Sequence, residues 1–84
     1  MDVEALMHQR LTEAFAPEAL EIVNESHLHA GHAGDDGSGE SHWRIVIGAP
    51  ALAPLSRVAR HRAVHAAIGE DVIGRIHALT IQIA

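Results

Sequence analysis

The sequence contains no cysteine, no lysine and no tyrosine, and its aromatics are limited to Phe15 and Trp43. Without cysteine there can be no disulfide, no zinc knuckle and no cluster held by the chain's own thiolates. Any metal must be taken by histidine or carboxylate, or with atoms of a partner. With so few aromatic rings the core has to be aliphatic. No apolar run approaches the roughly 18 residues of a membrane span, and no charged-then-apolar leader precedes a cleavage site. A cytoplasmic protein with no membrane association is the expectation.

What is present fits one small domain over residues 1–84, with 48% hydrophobic and 20% charged residues. The formal charge of −5 counts eight histidines as neutral, and protonating all of them would carry it to +3. The field of the protein should therefore change sharply near the unperturbed histidine pKa of about 6.5. Net negative charge disfavours indiscriminate binding to nucleic acid. The basic residues are all arginine, and Arg57, Arg60, Arg62 and Arg75 fall close together. Such a local positive patch suits an acidic partner or a phosphate.

Periodicity gives the elements. Val3, Leu6, Met7, Leu11 and Phe15 recur at helical spacing, with Asp2 as N-cap and Pro17 ending the helix at Ala16. Residues 19–26 alternate, Leu20 and Ile22 against Glu21, Val23 and Glu25, which predicts a half-buried strand. Residues 42–48 form the next strand, with Trp43, Ile45 and Ile47 on one face and Arg44 and Val46 on the other. The two make an antiparallel hairpin with a long loop. "GAPALAPLS" is a connection, and a second helix starts at Ser56 or a neighbour and runs to Ile68, closed by Gly69. Leu55, Val58, Val64 and Ile68 define its apolar stripe, which takes in His61 and His65 and leaves Arg60 outside. "GEDVIG" is a helical turn or short helix, and residues 75–84 are the last strand, with His77, Leu79, Ile81 and Ile83 sharing a face. The order αββααβ predicts one three-stranded sheet with helices on one face.

The histidines carry the possible chemistry. "HLHAGH" places His27, His29 and His32 close together on a glycine-rich loop. Three imidazoles could converge there on zinc, nickel or copper, although a solvated loop is the commoner outcome for such a stretch. His77 reads either as a half-buried histidine bonded to backbone or as a ligand on a rigid element. "RHR" at 60–62 reads as a solvated arginine face or as a partner or phosphate contact. Hydrolytic catalysis is not expected. The Ser26–His27 and Ser41–His42 neighbours sit on no strained elbow, and Asp35 and Asp36 lie on a loop rather than as a positioned acid/base pair. The glycines of the loop precede a strand rather than a helix, so they form no phosphate cradle. No catalytic residues are assigned and the chain is not expected to be an enzyme.

Three stretches together, "NESHLHAG", "GSGESHWRIVI" and "RVARHRAVHAAIGEDVIGRIHALTIQ", resemble the BolA-like proteins. The resemblance runs from the first helix to the end of the chain. It implies an α+β domain with the KH-like fold of the second class and a mixed three-stranded sheet. It also implies a partnership with a monothiol glutaredoxin as a heterodimer, sharing a [2Fe–2S] cluster. In that family, glutaredoxin and bound glutathione each supply a thiolate, and the BolA side supplies the histidine of "HAL" and a residue of the first interstrand loop. On this chain those are His77 and His29, with His32 as the alternative loop ligand. Two imidazoles on one iron and two thiolates on the other would be Rieske-like ligation, which raises the reduction potential. The isolated chain is then expected to be a monomer with no cluster of its own.

The chain departs from the family in three places. The loop is longer than in the commonest bacterial members, Leu52-Ala53-Pro54 stands in place of F-x-G, and the sequence stops at Ala84 without the C-terminal tail of many members. Two other functions follow from different features. Some family members are described as transcriptional regulators, so Arg60, His61, Arg62 and Arg75 could contact DNA. The loop alone could serve as a divalent-metal binder.

Overall fold

A computed structural model describes residues 2–26 and 41–84. Helix α1 (Val3–Phe15) opens with the Asp2 side chain accepting from the Ala5 backbone N–H at 2.8 Å. Its buried residues Val3, Met7 and Leu11 recur every four positions, which keeps them on one face. Ala16 ends the helix in the left-handed region at φ 44°, donating its N–H to Thr12, and Pro17 turns the chain away.

Strands β1 (Ala19–Asn24), β2 (His42–Gly48) and β3 (Ala78–Ile83) form one sheet in the order β1-β2-β3. β1 and β2 are antiparallel, with Leu20 opposite Ile47 and Ile22 opposite Ile45. β2 and β3 are parallel, with Ile45 opposite Ile81 and Ile47 opposite Ile83. A parallel neighbour needs a crossover, and helices α2 (Arg57–Ile68) and α3 (Glu70–Ile73) provide it. The result is a single α+β domain with a mixed sheet.

The core lies between that sheet and the helices. Trp43, Ile45 and Ile47 of the central strand meet Val3, Met7 and Leu11 of α1, Val64 and Ile68 of α2, and Val72 of α3. Leu52, from the connection before α2, is fully buried among them. It stands in the segment where the family pattern has a different sequence, and it supplies an apolar anchor there. The opposite face of the sheet carries Glu21, Arg44, Thr80 and Gln82 and is covered by no helix among the described residues.

Three expectations for α2, at Val58, Arg60 and His61, need correction. Val58, assigned to the apolar stripe, is 59% exposed. Arg60, expected to point outward, folds back instead. It donates from Nε to the Leu52 carbonyl at 2.9 Å and from Nη2 to the Ala53 carbonyl at 2.7 Å. The Leu52 carbonyl also accepts from the Leu55 backbone N–H at 3.1 Å, so the guanidinium adds a second bond there and ties the connection to the first turn of α2. At the other end of the crossover, Arg10 of α1 reaches the Ile68 carbonyl at 2.6 Å and clasps the Asp71 carboxylate with both terminal nitrogens. That hydrogen bonding holds the Asp71 carboxyl below its usual pKa. Gly69 joins α2 to α3 at φ 93°, a conformation that favours glycine.

Candidate functional site

The described ends of β1 and β2 are fastened together by serines. Ser26 is buried, and its Oγ accepts from the His42 backbone N–H at 3.0 Å. The Glu25 N–H donates to the His42 carbonyl at 2.8 Å. Across β2, the Ser41 carbonyl accepts from the backbone N–H groups of both His77 (2.7 Å) and Ala78 (3.0 Å). Ser41 is thus the point at which the start of β3 is tied to the start of β2.

This framework brings two imidazoles together. His42 is 8% exposed, and its Nδ1 lies 2.7 Å from the Ser41 Oγ. His77 is exposed, and the two ring centroids are 5.3 Å apart with a 47° tilt between planes. Both rings sit at the end of the sheet from which residues 27–40 depart. His29 and His32, the expected loop ligands, and His27 lie outside the described residues. Among the described residues, no group of three or more histidine, aspartate or glutamate side chains converges as a metal site.

Sequence reasoning assigned no role to His42. Its signal was the serine–histidine dipeptide at the head of a strand, which was weighed only as a hydrolytic pair. The presence of His77 beside it depends on the parallel register, in which His42 stands opposite Ala78.

The arginine group is divided by the fold. Arg57 and Arg62 are exposed at the surface of α2, Arg60 is engaged with the connection, and Arg75 lies on the exposed turn before β3. Arg57, Arg60 and His61 line one wall of a groove of about 250 Å³, and Leu79, Thr80, Ile81 and Ile83 of β3 line the other. His61, expected inside the apolar stripe, is exposed on this wall. One turn further along, His65 stacks on it with ring centroids 4.3 Å apart. The His65 Nε2 is buried without a hydrogen-bond partner. Burial, and then the charge of His61, lowers the His65 pKa below its ordinary value.

The comparisons with known proteins agree with this architecture over nearly the whole chain. The model of the BolA-like protein family matches residues 11–84. The chain belongs to the BolA-like family. This is a family of non-enzymatic proteins. The chain is 46% identical over 83 residues to the "Uncharacterized protein in cobS 5'region" of a Sinorhizobium species, covering 98% of this chain and 89% of that one. It is 46% identical over 80 residues to human BolA-like protein 1, covering 95% of this chain and 56% of the human protein. It is 33% identical over 79 residues to the DNA-binding transcriptional regulator BolA of Vibrio cholerae, covering 94% of this chain and 71% of that protein. The solved structure of BolA1 from Arabidopsis thaliana superposes with a TM-score of 0.77 at 32% identity, covering 94% of this chain and 86% of that one. This BolA-like chain therefore spans little more than half of its human relative. Among its described residues no helix is long and apolar enough to cross a membrane.

Proposed function

We propose that this BolA-like chain is an adaptor that binds a monothiol glutaredoxin and co-ligates a [2Fe–2S] cluster, in iron–sulfur trafficking or iron-dependent regulation. His77 is the ligand on the rigid side, and His29 is the loop ligand, with His32 as its alternative. The observation that carries this reading is the position of His77. It is exposed, its backbone N–H is held by the Ser41 carbonyl, and it stands at the end of the sheet where residues 27–40 join. A ligand fixed on a strand end costs less to order than one on a loop. The residues fit such a cluster in kind. The chain offers imidazole nitrogens and no thiolate, so its share is the nitrogen half, and both thiolates come from glutaredoxin and glutathione. When bound, the cluster supplies one-electron redox chemistry. This chain's part is to present neutral imidazole, so capture weakens as acid protonates it.

The test is to mix the chain with a monothiol glutaredoxin, glutathione, iron and sulfide and record visible absorption and circular dichroism. The expected spectrum differs from that of glutaredoxin alone, and His77→Ala returns it to the glutaredoxin form. An unchanged spectrum in His77→Ala would remove the ligand assignment.

A second reading, a DNA-binding regulator, is favoured by the groove between α2 and β3 with Arg57 and His61 on its wall. Its DNA contacts would come from the exposed Arg57, His61 and Arg62 of α2, with Arg75 as a further phosphate contact. A salt-dependent shift of duplex DNA that is lost on reversing the charge of Arg57 and Arg62 supports it. No binding at low salt removes it.

A further inference from the structure

We propose that the free edge of β1 takes up an extended segment of another protein, one that alternates apolar and basic residues and joins the sheet as a fourth strand beside α1. The inference stands apart from the cluster reading, because it uses neither His77 nor residues 27–40.

The backbone of β1 supplies the first reason. β1 is an outer strand and pairs only with β2 among the described residues. In an antiparallel pair, alternate residues turn their N–H and C=O groups toward the neighbouring strand and the others turn them away. The Glu25 N–H donates to the His42 carbonyl, so Glu25, Val23 and Glu21 are the residues bonded to β2. The other side of β2 agrees. Its Ser41 and Ile47 carbonyls accept from Ala78 and Ala84, which leaves its even-numbered residues to face β1. Leu20 and Ile22 therefore aim their backbone groups at the open edge. A row of outward donors and acceptors is a template for a further strand.

The space beside that edge is the second reason. A groove of about 640 Å³ runs between α1 and β1, with Glu4, Ala5 and His8 on one wall and Leu20 and Ile22 on the other. The Leu20 and Ile22 side chains are half-buried and pack against the core. Side chains of a strand alternate between its two faces. An added strand would lay one set into this groove and bring the other set beside Glu21.

Charge selects the occupant. Glu4 and Glu21 are exposed on the groove, and Glu18 is exposed just before β1. The arginines of α1 and β2 are already engaged, Arg10 with Asp71 and Arg44 with Glu25. The other four lie on α2 and on the turn before β3, at the far edge of the sheet. Basic side chains on the incoming segment would answer the glutamates. A second copy of this chain would not. Bonding Leu20 of one chain to Ile22 of the other sets Glu21 directly opposite Glu21, where like charges repel.

The experiment uses the whole chain and, as the probe, a short synthetic peptide that alternates valine and arginine. Backbone ¹⁵N shifts and amide exchange are followed at neutral pH and low salt. The peptide should shift Leu20, Glu21 and Ile22 first and slow exchange of the Leu20 and Ile22 amides. A peptide with glutamate in place of arginine should do neither. Glu4→Lys and Glu21→Lys, both at exposed positions, should each weaken binding about fivefold. Equal binding of the two peptides, shifts confined to α2 and β3, or no binding would overturn the proposal. Slow exchange of the Leu20 and Ile22 amides before peptide is added would overturn it as well. It would mean that the edge is already filled, by a second copy if the protection rises with concentration and by this chain itself if it does not. His77→Ala should bind the peptide like the parent, so failure here leaves the shared-cluster reading standing, and loss of the shared cluster leaves this one standing.

Discussion

Ser41 holds His42 by its side chain and His77 by its backbone, so that the two imidazoles face each other at 5.3 Å across the start of a parallel strand pair. Neither histidine is close to the other in sequence. The crossover through α2 and α3 returns the chain beside β2 in the register that sets Ala78 opposite His42. A hydroxyl, a carbonyl and two imidazoles thereby share one end of the sheet.

Ser41→Ala tests that relationship directly. It removes one buried hydrogen bond and leaves the His42 Nδ1 to find another partner. The expected cost is about 1 kcal/mol in urea unfolding. The ¹⁵N signals of the His42 ring should move toward mixed tautomers while those of His61 stay in place. Unchanged His42 signals would mean that the hydroxyl does not set the tautomer.

Arg60 separates a structural role from a DNA-binding one. Its guanidinium is committed to the Leu52 and Ala53 carbonyls. Arg60→Glu should lower the midpoint of thermal unfolding, since it removes two hydrogen bonds to the connection and places a carboxylate beside the Leu52 and Ala53 carbonyls. Arg57→Glu and Arg62→Glu lie on exposed positions and should change the midpoint little. A loss of DNA binding in Arg60→Glu alone would therefore report damage to the connection. Equal stability of all three variants would contradict this account.

His65 should make stability fall in mild acid. Its folded-state pKa lies below the unfolded value, through burial first and His61 second. Between those two values the unfolded chain binds the extra proton, so stability is present above about pH 6.5 and declines as the pH drops toward the lowered value. His65→Leu removes both the titration and the unpartnered Nε2. It should flatten the acid limb of a stability–pH profile while preserving stability at pH 7.5. An acid limb of unchanged slope would assign the effect to other histidines.

Gly69→Ala should destabilise the crossover. The backbone there has φ 93°, and an added Cβ would meet Asp71 Oδ1 at 2.9 Å and Arg10 Nη1 at 3.0 Å. Strain and the disturbed clasp act together, and the expected cost exceeds about 1 kcal/mol. A midpoint in urea equal to the parent's would show that the turn relaxes freely.

The sequence by itself determined the element order and the faces of the elements. The four-residue recurrence of Val3, Met7 and Leu11 and the alternation of Trp43, Ile45 and Ile47 each answer to local geometry, 3.6 residues per helical turn and two per strand repeat. The capping of α1 by Asp2 and the stop at Pro17 are local for the same reason. The three stretches that run from the end of β1, through the start of β2 and on to His77 and β3 together placed the chain in its family, which the matched residues 11–84 bear out. Limits of local reasoning appeared on α2. Val58 fits the helical stripe yet is exposed, because α2 turns that edge away from the core. Arg60 is bent inward by carbonyls eight and seven residues before it.

Tertiary structure alone decided the meeting of His42 and His77. Strand alternation places His77 with Leu79 on the helix-facing side and His42 with Arg44 on the other. That rule does not reach His77, which precedes the first residue of β3 and is positioned instead by its bond to Ser41. Contacts of this kind depend on the pairing register of segments joined by a long crossover. Register follows from how the whole core packs, and no short window of sequence contains it.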